Sequence, residues 1–300
     1  FRDFISGLHQ IAMIIDSPEA PAKLQSFASR IRSLLQHSQL EEILQKKKGE
    51  KFSVKENLYF GFYFLAGFKS RYEELADIFY QLDAWYSMAT AVQKYQLTFP
   101  EFVESGEPYI KADKIFHILL REPVAYDIQL SPSSNFLFLT GANMAGKSTF
   151  IKSLGIAVYL AHLGMGVHAK HLELSLFDGV LSNINVEDNI IKGESYFFNE
   201  VQRIKNTILT INNGKKWLVL IDELFKGTNV QDAMRCSLAV INGLIRIKSS
   251  LFVLSTHLYE IGEEINEHSN ISFKYFETNI NNDKLEFTYQ LKDGISKIGR

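Results

Sequence analysis

The stretch Phe136-Leu137-Phe138-Leu139-Thr140-Gly141-Ala142-Asn143-Met144-Ala145-Gly146-Lys147-Ser148-Thr149 decides how the rest of the chain is read. An apolar run of strand length enters the spacing G-x-x-x-x-G-K-[ST], and a helix-like pattern follows from Thr149. That order describes a phosphate-binding loop. The glycines let backbone N–H groups curl around phosphate oxygens, Lys147 can reach the β- and γ-phosphates, and Ser148 can offer its hydroxyl to Mg²⁺. A nucleoside triphosphate is the ligand this chemistry calls for.

Two further apolar runs end in polar residues: Trp217–Ile221 leads into Asp222-Glu223, and Leu251–Leu254 into Ser255-Thr256-His257. Each has strand length and is followed by a helical pattern, so we expect strand–helix alternation with a mostly parallel sheet buried on both faces. Ligands of such sheets bind beyond the carboxyl ends of the strands, which predicts that Lys147, Asp222, Glu223 and His257 meet at one crevice. Asp222, at the end of a buried strand, suits Mg²⁺. Glu223 heads the next loop, where it can orient and deprotonate a water for in-line attack. His257 can donate a hydrogen bond to the γ-phosphate. The stretch Gly193–Glu200 opens a helix whose positions Phe197, Val201, Ile204 and Ile208 read as an inner face. Ser195 at its start is a phosphate ligand suited to a neighbouring subunit's nucleotide.

Upstream, from Phe4 to about Gln93, apolar residues recur at three- and four-residue spacing, as in Leu24, Phe27, Ile31, Leu34 and Leu35, and predict packed helices. Ser17-Pro18-Glu19 reads as a helix start and Lys46-Lys47-Lys48-Gly49 as a helix end. Around Pro100–Pro108 the texture turns strand-like, which puts a domain boundary near Ser105. Near the other end, Ile271–Glu277 and Lys284–Leu291 flank Asn281-Asn282-Asp283 as a β-hairpin, with Leu285, Phe287, Tyr289 and Leu291 on one buried face.

The 300 residues carry a formal net charge of −2, without the excess of Lys and Arg usual in a dedicated nucleic-acid-binding domain. Cys236 is the single cysteine, so no internal disulfide is possible and a reducing, cytoplasmic setting is expected. The most apolar windows, Leu58–Phe68 and Gly155–Ala161, fall short of the roughly 20 residues that a membrane span needs. A start at Phe1 rather than Met leads us to expect a piece of a longer protein.

Taken together, Thr140–Thr149, the serine–aromatic stretch Gly193–Glu200, Leu220-Ile221-Asp222-Glu223-Leu224 with Gly227-Thr228 and Asp232, and Ser255-Thr256-His257 resemble the ATPase domain of the MutS DNA mismatch-repair family in order and spacing. Asn143-Met144 inside the loop is far more specific than the bare loop pattern. The resemblance is strong from about residue 108 onward. Before that, Leu82-Asp83 with Ala89 and Ala91 is similar to the family's helical core and lever region.

The resemblance implies an α/β fold: an ABC-type P-loop NTPase with a mostly parallel central sheet flanked by helices, residues 106–300, preceded by an all-α core/lever-like domain, residues 1–105. It also implies a Mg²⁺-dependent ATPase acting as a homodimer with composite ATP sites. Gly141, Asn143, Met144, Ala145, Gly146, Lys147, Ser148 and Thr149 would hold the nucleotide, with Ser195 reaching across from the partner. Ser148 and Asp222 would serve the metal, Glu223 would be the catalytic base and His257 the γ-phosphate switch. Tyr126 and Tyr289 lie near where the family packs adenine. Double-stranded or branched DNA would be reached through other parts of the full protein, because the N-terminal region is too short for mismatch-reading and connector domains. The alternative is a nucleotide-gated dimerising scaffold that does not contact DNA. Three positions depart from the family: Phe225-Lys226 before Gly227, Glu194, and Glu122 where a His commonly precedes Pro123.

Overall fold

The computed structural model describes residues 2–37, 40–42, 52–184, 196–281 and 284–296. The chain divides into two compact units, Phe1–Thr90 and Ala91–Arg300.

Every element described in the first unit is helical: α1 (Arg2–Ile15), α2 (Ala22–Leu35), α3 (Val54–Tyr63), a π-turn (Phe64–Phe68) and α4 (Lys69–Tyr95), which continues into the second unit. The helical spacing of apolar residues becomes one core of Ile5, Leu8, Ala28, Ile31, Phe68 and Leu75, all essentially inaccessible to water. A capping box opens α3: the Ser53 hydroxyl accepts from Glu56 N while Glu56 accepts from Ser53 N. The helix start expected at Ser17 is instead a turn, closed by Ala20 N donating to Ser17 O at 2.9 Å, and α2 begins only at Ala22. Pro21 is the reason, since the residue before a proline is pushed out of the helical region. The helix end expected at Lys46–Gly49 lies outside the described residues.

The second unit holds two sheets. A small one, ordered β1-β5-β2-β3, comprises β1 (Glu101–Val103), β2 (Ile110–Ile115), β3 (Tyr126–Leu130) and β5 (His171–Ser175). The larger one, ordered β10-β9-β4-β8-β7-β6, comprises β4 (Phe136–Thr140), β6 (Gly179–Asn183), β7 (Trp217–Asp222), β8 (Ser250–Ser255), β9 (Ile271–Asn281) and β10 (Lys284–Asp293). All its pairings are parallel except the β9–β10 hairpin. The helices are α5 (Lys147–His162), α6 (Tyr196–Ile211), α7 (Val230–Leu244) and the short α8 (Glu260–Glu264).

Alternation along the central strands sorts their side chains to two sides. Leu137, Leu139, Leu218, Leu220, Leu251 and Val253 join α5 and the small sheet in one core. Phe136, Phe138, Val219, Ile221, Phe252 and Leu254 join α6, α7 and α8 in the other. Both faces of the sheet are thus covered, as continuous apolar strands require.

Two details of patterning differ from the expectation. On α6, Val201 is 36% exposed, and the buried side runs through Glu200, Ile204, Thr207 and Ile211. In β10 a register shift between Phe287 and Leu291 breaks the alternation: Phe287 and Leu291 pack on the core, while Leu285 and Tyr289 are exposed and Tyr289 takes a positive φ of 56°.

Candidate functional site

Beyond the carboxyl ends of β4 and β7 lies a cleft of about 660 Å³. One wall is the loop between β4 and α5. Gly141 and Gly146 hold φ values of 143° and 112°, a region open to glycine and strained for other residues. Gly141 has a second constraint, since a Cβ there would sit 3.1 Å from Phe276 Cβ. Gly146 caps α5 at its N-terminus, so the first N–H groups of that helix, which have no partner within it, lie beside the cleft. Asn143, Met144, Gly146, Lys147, Ser148 and Thr149 line the space, and Met144 is 82% exposed. Gly141 and Ala145 are buried beneath it, Ala145 within the core.

Lys147 is buried, and its ammonium donates to the carbonyls of Gly141 at 2.7 Å and Ala142 at 3.0 Å. Burial pulls its pKa below the ordinary lysine value, while Glu223 and Asp222 act in the opposite direction. The loop's own carbonyls therefore hold a cation that phosphate oxygens can compete for.

Parallel register sets Asp222 beside Ser255 at the ends of β7 and β8. The Ser255 hydroxyl donates to Asp222 Oδ1, and the Ser148 hydroxyl donates to Oδ2 at 2.5 Å. A hydroxyl and a carboxylate in contact form a hard-oxygen donor pair that fits Mg²⁺, a cation usually held by one or two side chains together with phosphate oxygens and water. Among the described residues no group of three or more His, Cys, Asp and Glu could form an all-protein metal cage.

Glu223 N donates to Ser255 O at 2.9 Å, continuing the strand pairing by one residue before the chain turns at φ 63°. Its carboxylate lies 3.4 Å from His257 Nδ1 and 3.1 Å from Lys226 Nζ. A carboxylate in this state only accepts, so Nδ1 is assigned the proton. The bond from His257, then that from Lys226, outweighs burial and holds the Glu223 pKa down to about 2. His257 thus meets Glu223 rather than standing in the cleft wall itself. Ser195 lies outside the described residues.

The far end of the cleft is lined by His117, Leu120, Glu122, Val124, Tyr126 and Tyr289. Tyr126 is buried edge-on against Phe150 and Phe276, and burial raises its phenol to about 12. Sequence reasoning missed His117, Leu120 and Val124, which carry no motif and come together only through the β2–β3 connection. It also gave no role to Ser255, whose pairing with Asp222 depends on register.

The family model described as MutS domain V matches residues 137–299. This chain belongs to the MutS family. It is similar to the DNA mismatch repair protein MutS of Petrotoga mobilis, with 28% identity over 236 residues, covering 77% of this chain and 28% of that relative. The protein of the same name from Pseudothermotoga lettingae is 27% identical over 225 residues, covering 74% of the chain and 28% of the relative. The one from Bacillus mycoides is 28% identical over 238 residues, covering 76% and 26%. The chain therefore spans between a quarter and a third of the length of these MutS relatives. The matched domain contains the phosphate loop, Asp222, Glu223 and His257.

Proposed function

We propose that this MutS-family chain binds and hydrolyses ATP with Mg²⁺, and that nucleotide state governs its engagement of DNA or repair partners. The supporting observation is the convergence of Lys147, Ser148, Asp222 and Glu223, from two distant stretches of sequence, on one cleft. In this reading the loop N–H groups and Lys147 bind the β- and γ-phosphates, and Asn143 and Thr149 position them. Ser148 and Asp222 hold Mg²⁺, which when bound neutralises phosphate charge. Glu223 is ionised at neutral pH, the state in which it accepts a proton from water. The water oxygen bonds to the γ-phosphorus, the β–γ bridging bond breaks, and ADP and phosphate leave. His257, joined to Glu223, links that carboxylate to the γ-phosphate position. Adenine packs toward Tyr126 and Tyr289.

The same reading assigns residues 106–300 to an ABC-type ATPase domain and residues 1–105 to a core/lever-like domain that is helical as far as Tyr95. It makes the protein a cytoplasmic homodimer in which Ser195 completes the partner's site. Among the described residues no helix is long and apolar enough to cross a membrane. Phosphate release measured with and without Mg²⁺ tests the core of the proposal, and no release above background at any nucleotide concentration would refute it. Sedimentation with a non-hydrolysable ATP analogue, with and without linear and branched duplexes, tests dimerisation and DNA binding. DNA binding that weakens steeply with salt supports phosphate contacts. Dimerisation without any DNA binding would favour a nucleotide-gated scaffold.

A further inference from the structure

Glu200 belongs to α6 rather than to any strand end, and only 4% of it is exposed. Its Oε1 accepts from Lys226 N and its Oε2 from Gly227 N, both at 3.2 Å. Those donors lie in the loop leaving β7, where Glu223 and Phe225 hold φ values of 63° and 58° although neither is glycine. Such conformations persist only where surrounding contacts over-determine them. The same helix supplies a second restraint, because the Phe197 ring packs against Phe225 with centroids 5.6 Å apart. A buried carboxylate would be costly unpaired, and these two N–H groups supply its partners. The loop they fix carries Glu223 and Lys226 into the cleft.

We propose that Glu200 is a positioning residue for ATP hydrolysis: by clamping the backbone of Lys226 and Gly227 it fixes the loop that presents Glu223, and so couples the hydrolytic carboxylate to α6. This inference rests on the ATPase reading of the cleft. It requires no contact between Glu200 and nucleotide, and it predicts an effect on turnover without a matching effect on binding.

Glu200→Gln tests it at constant size, because the amide keeps one acceptor and turns an N–H₂ toward the other backbone donor. The expected result is a kcat lower by about tenfold or more, with KM for ATP and affinity for ADP within about twofold of the parent. In nucleotide-free protein, amide exchange at Lys226 and Gly227 should quicken by about tenfold, while β7 keeps its protection. In a Glu223→Ala background the same substitution should change the residual rate by less than about twofold, since both residues act through one group. An unchanged kcat, a raised KM with kcat intact, unaltered exchange or full additivity with Glu223→Ala would each overturn the proposal. If the parent protein hydrolyses no ATP, the reading of the cleft fails, and the exchange measurement still decides whether Glu200 holds the loop.

Discussion

Two loops line the cleft and keep their shapes by different means. The loop after β4 turns at Gly141 and Gly146, so its geometry is written into its own sequence, and only the exposed Met144, at φ 67°, adopts a left-handed conformation with a side chain. The loop after β7 makes equivalent turns at Glu223 and Phe225, and its restraints come from Glu200 and Phe197 on another element. The first is a local device for binding an anion. The second is a tertiary device for holding a carboxylate, and its conformation depends on contacts from a separate helix.

The contrast can be broken at several points. Glu223→Ala should produce the largest effect, lowering the rate of phosphate release by about 10²–10⁴-fold while ATP binding persists, because the loss is that of a proton acceptor. Retention of turnover would remove Glu223 from the mechanism. Lys147→Ala should act on the other loop and in the other parameter, weakening ATP binding by about 10–100-fold through loss of a charge-assisted contact to phosphate. A fluorescent nucleotide titration would detect this, and unchanged affinity would contradict the assigned role.

Backbone substitutions sharpen the comparison further. Gly141→Ala forces a Cβ to within 3.1 Å of Phe276 Cβ at φ 143°, and should cost about 1–3 kcal/mol in urea unfolding. Met144→Gly, at an exposed site with strain to relieve and backbone entropy to lose, should stay within about 1 kcal/mol of the parent. Equal costs at the two positions would show that the loop does not depend on its glycines.

The far wall gives a pH signature. The Tyr126 phenol is raised to about 12 in the folded state by burial, against about 10 for a free tyrosine. Its contribution is complete below pH 10, where both states are protonated, and is lost as pH rises from 10 toward 12, where only the unfolded chain ionises. Stability should therefore fall by up to about 2 kcal/mol more in the parent than in Tyr126→Phe across that window. Parallel curves would show that the phenol is not desolvated.

The strands, their parallel pairing and the motif positions were legible because continuous apolar runs and fixed glycine spacings are local signals. The role of Glu200 was not legible: the apolar spacing draws the inner face of α6 through Phe197, Val201, Ile204 and Ile208, and only the structure places Glu200 on the buried side. Nothing in the sequence named Lys226 N and Gly227 N as its partners. The exposure of Val201 and the turning of Tyr289 into the cleft were not readable, since one depends on which elements cover α6 and the other on a register shift between β9 and β10.

By itself, the sequence determined the phosphate loop, the acidic pair after the buried strand and the alternation of strands with helices, because each follows from contacts between residues near one another along the chain. Only the tertiary structure decided that Ser148 and Ser255 share Asp222, that His257 and Lys226 hold Glu223, and that Glu200 restrains the loop between them. Those pairings join residues up to 74 positions apart, and strand register and helix packing set which donors fall within hydrogen-bonding distance of which acceptors.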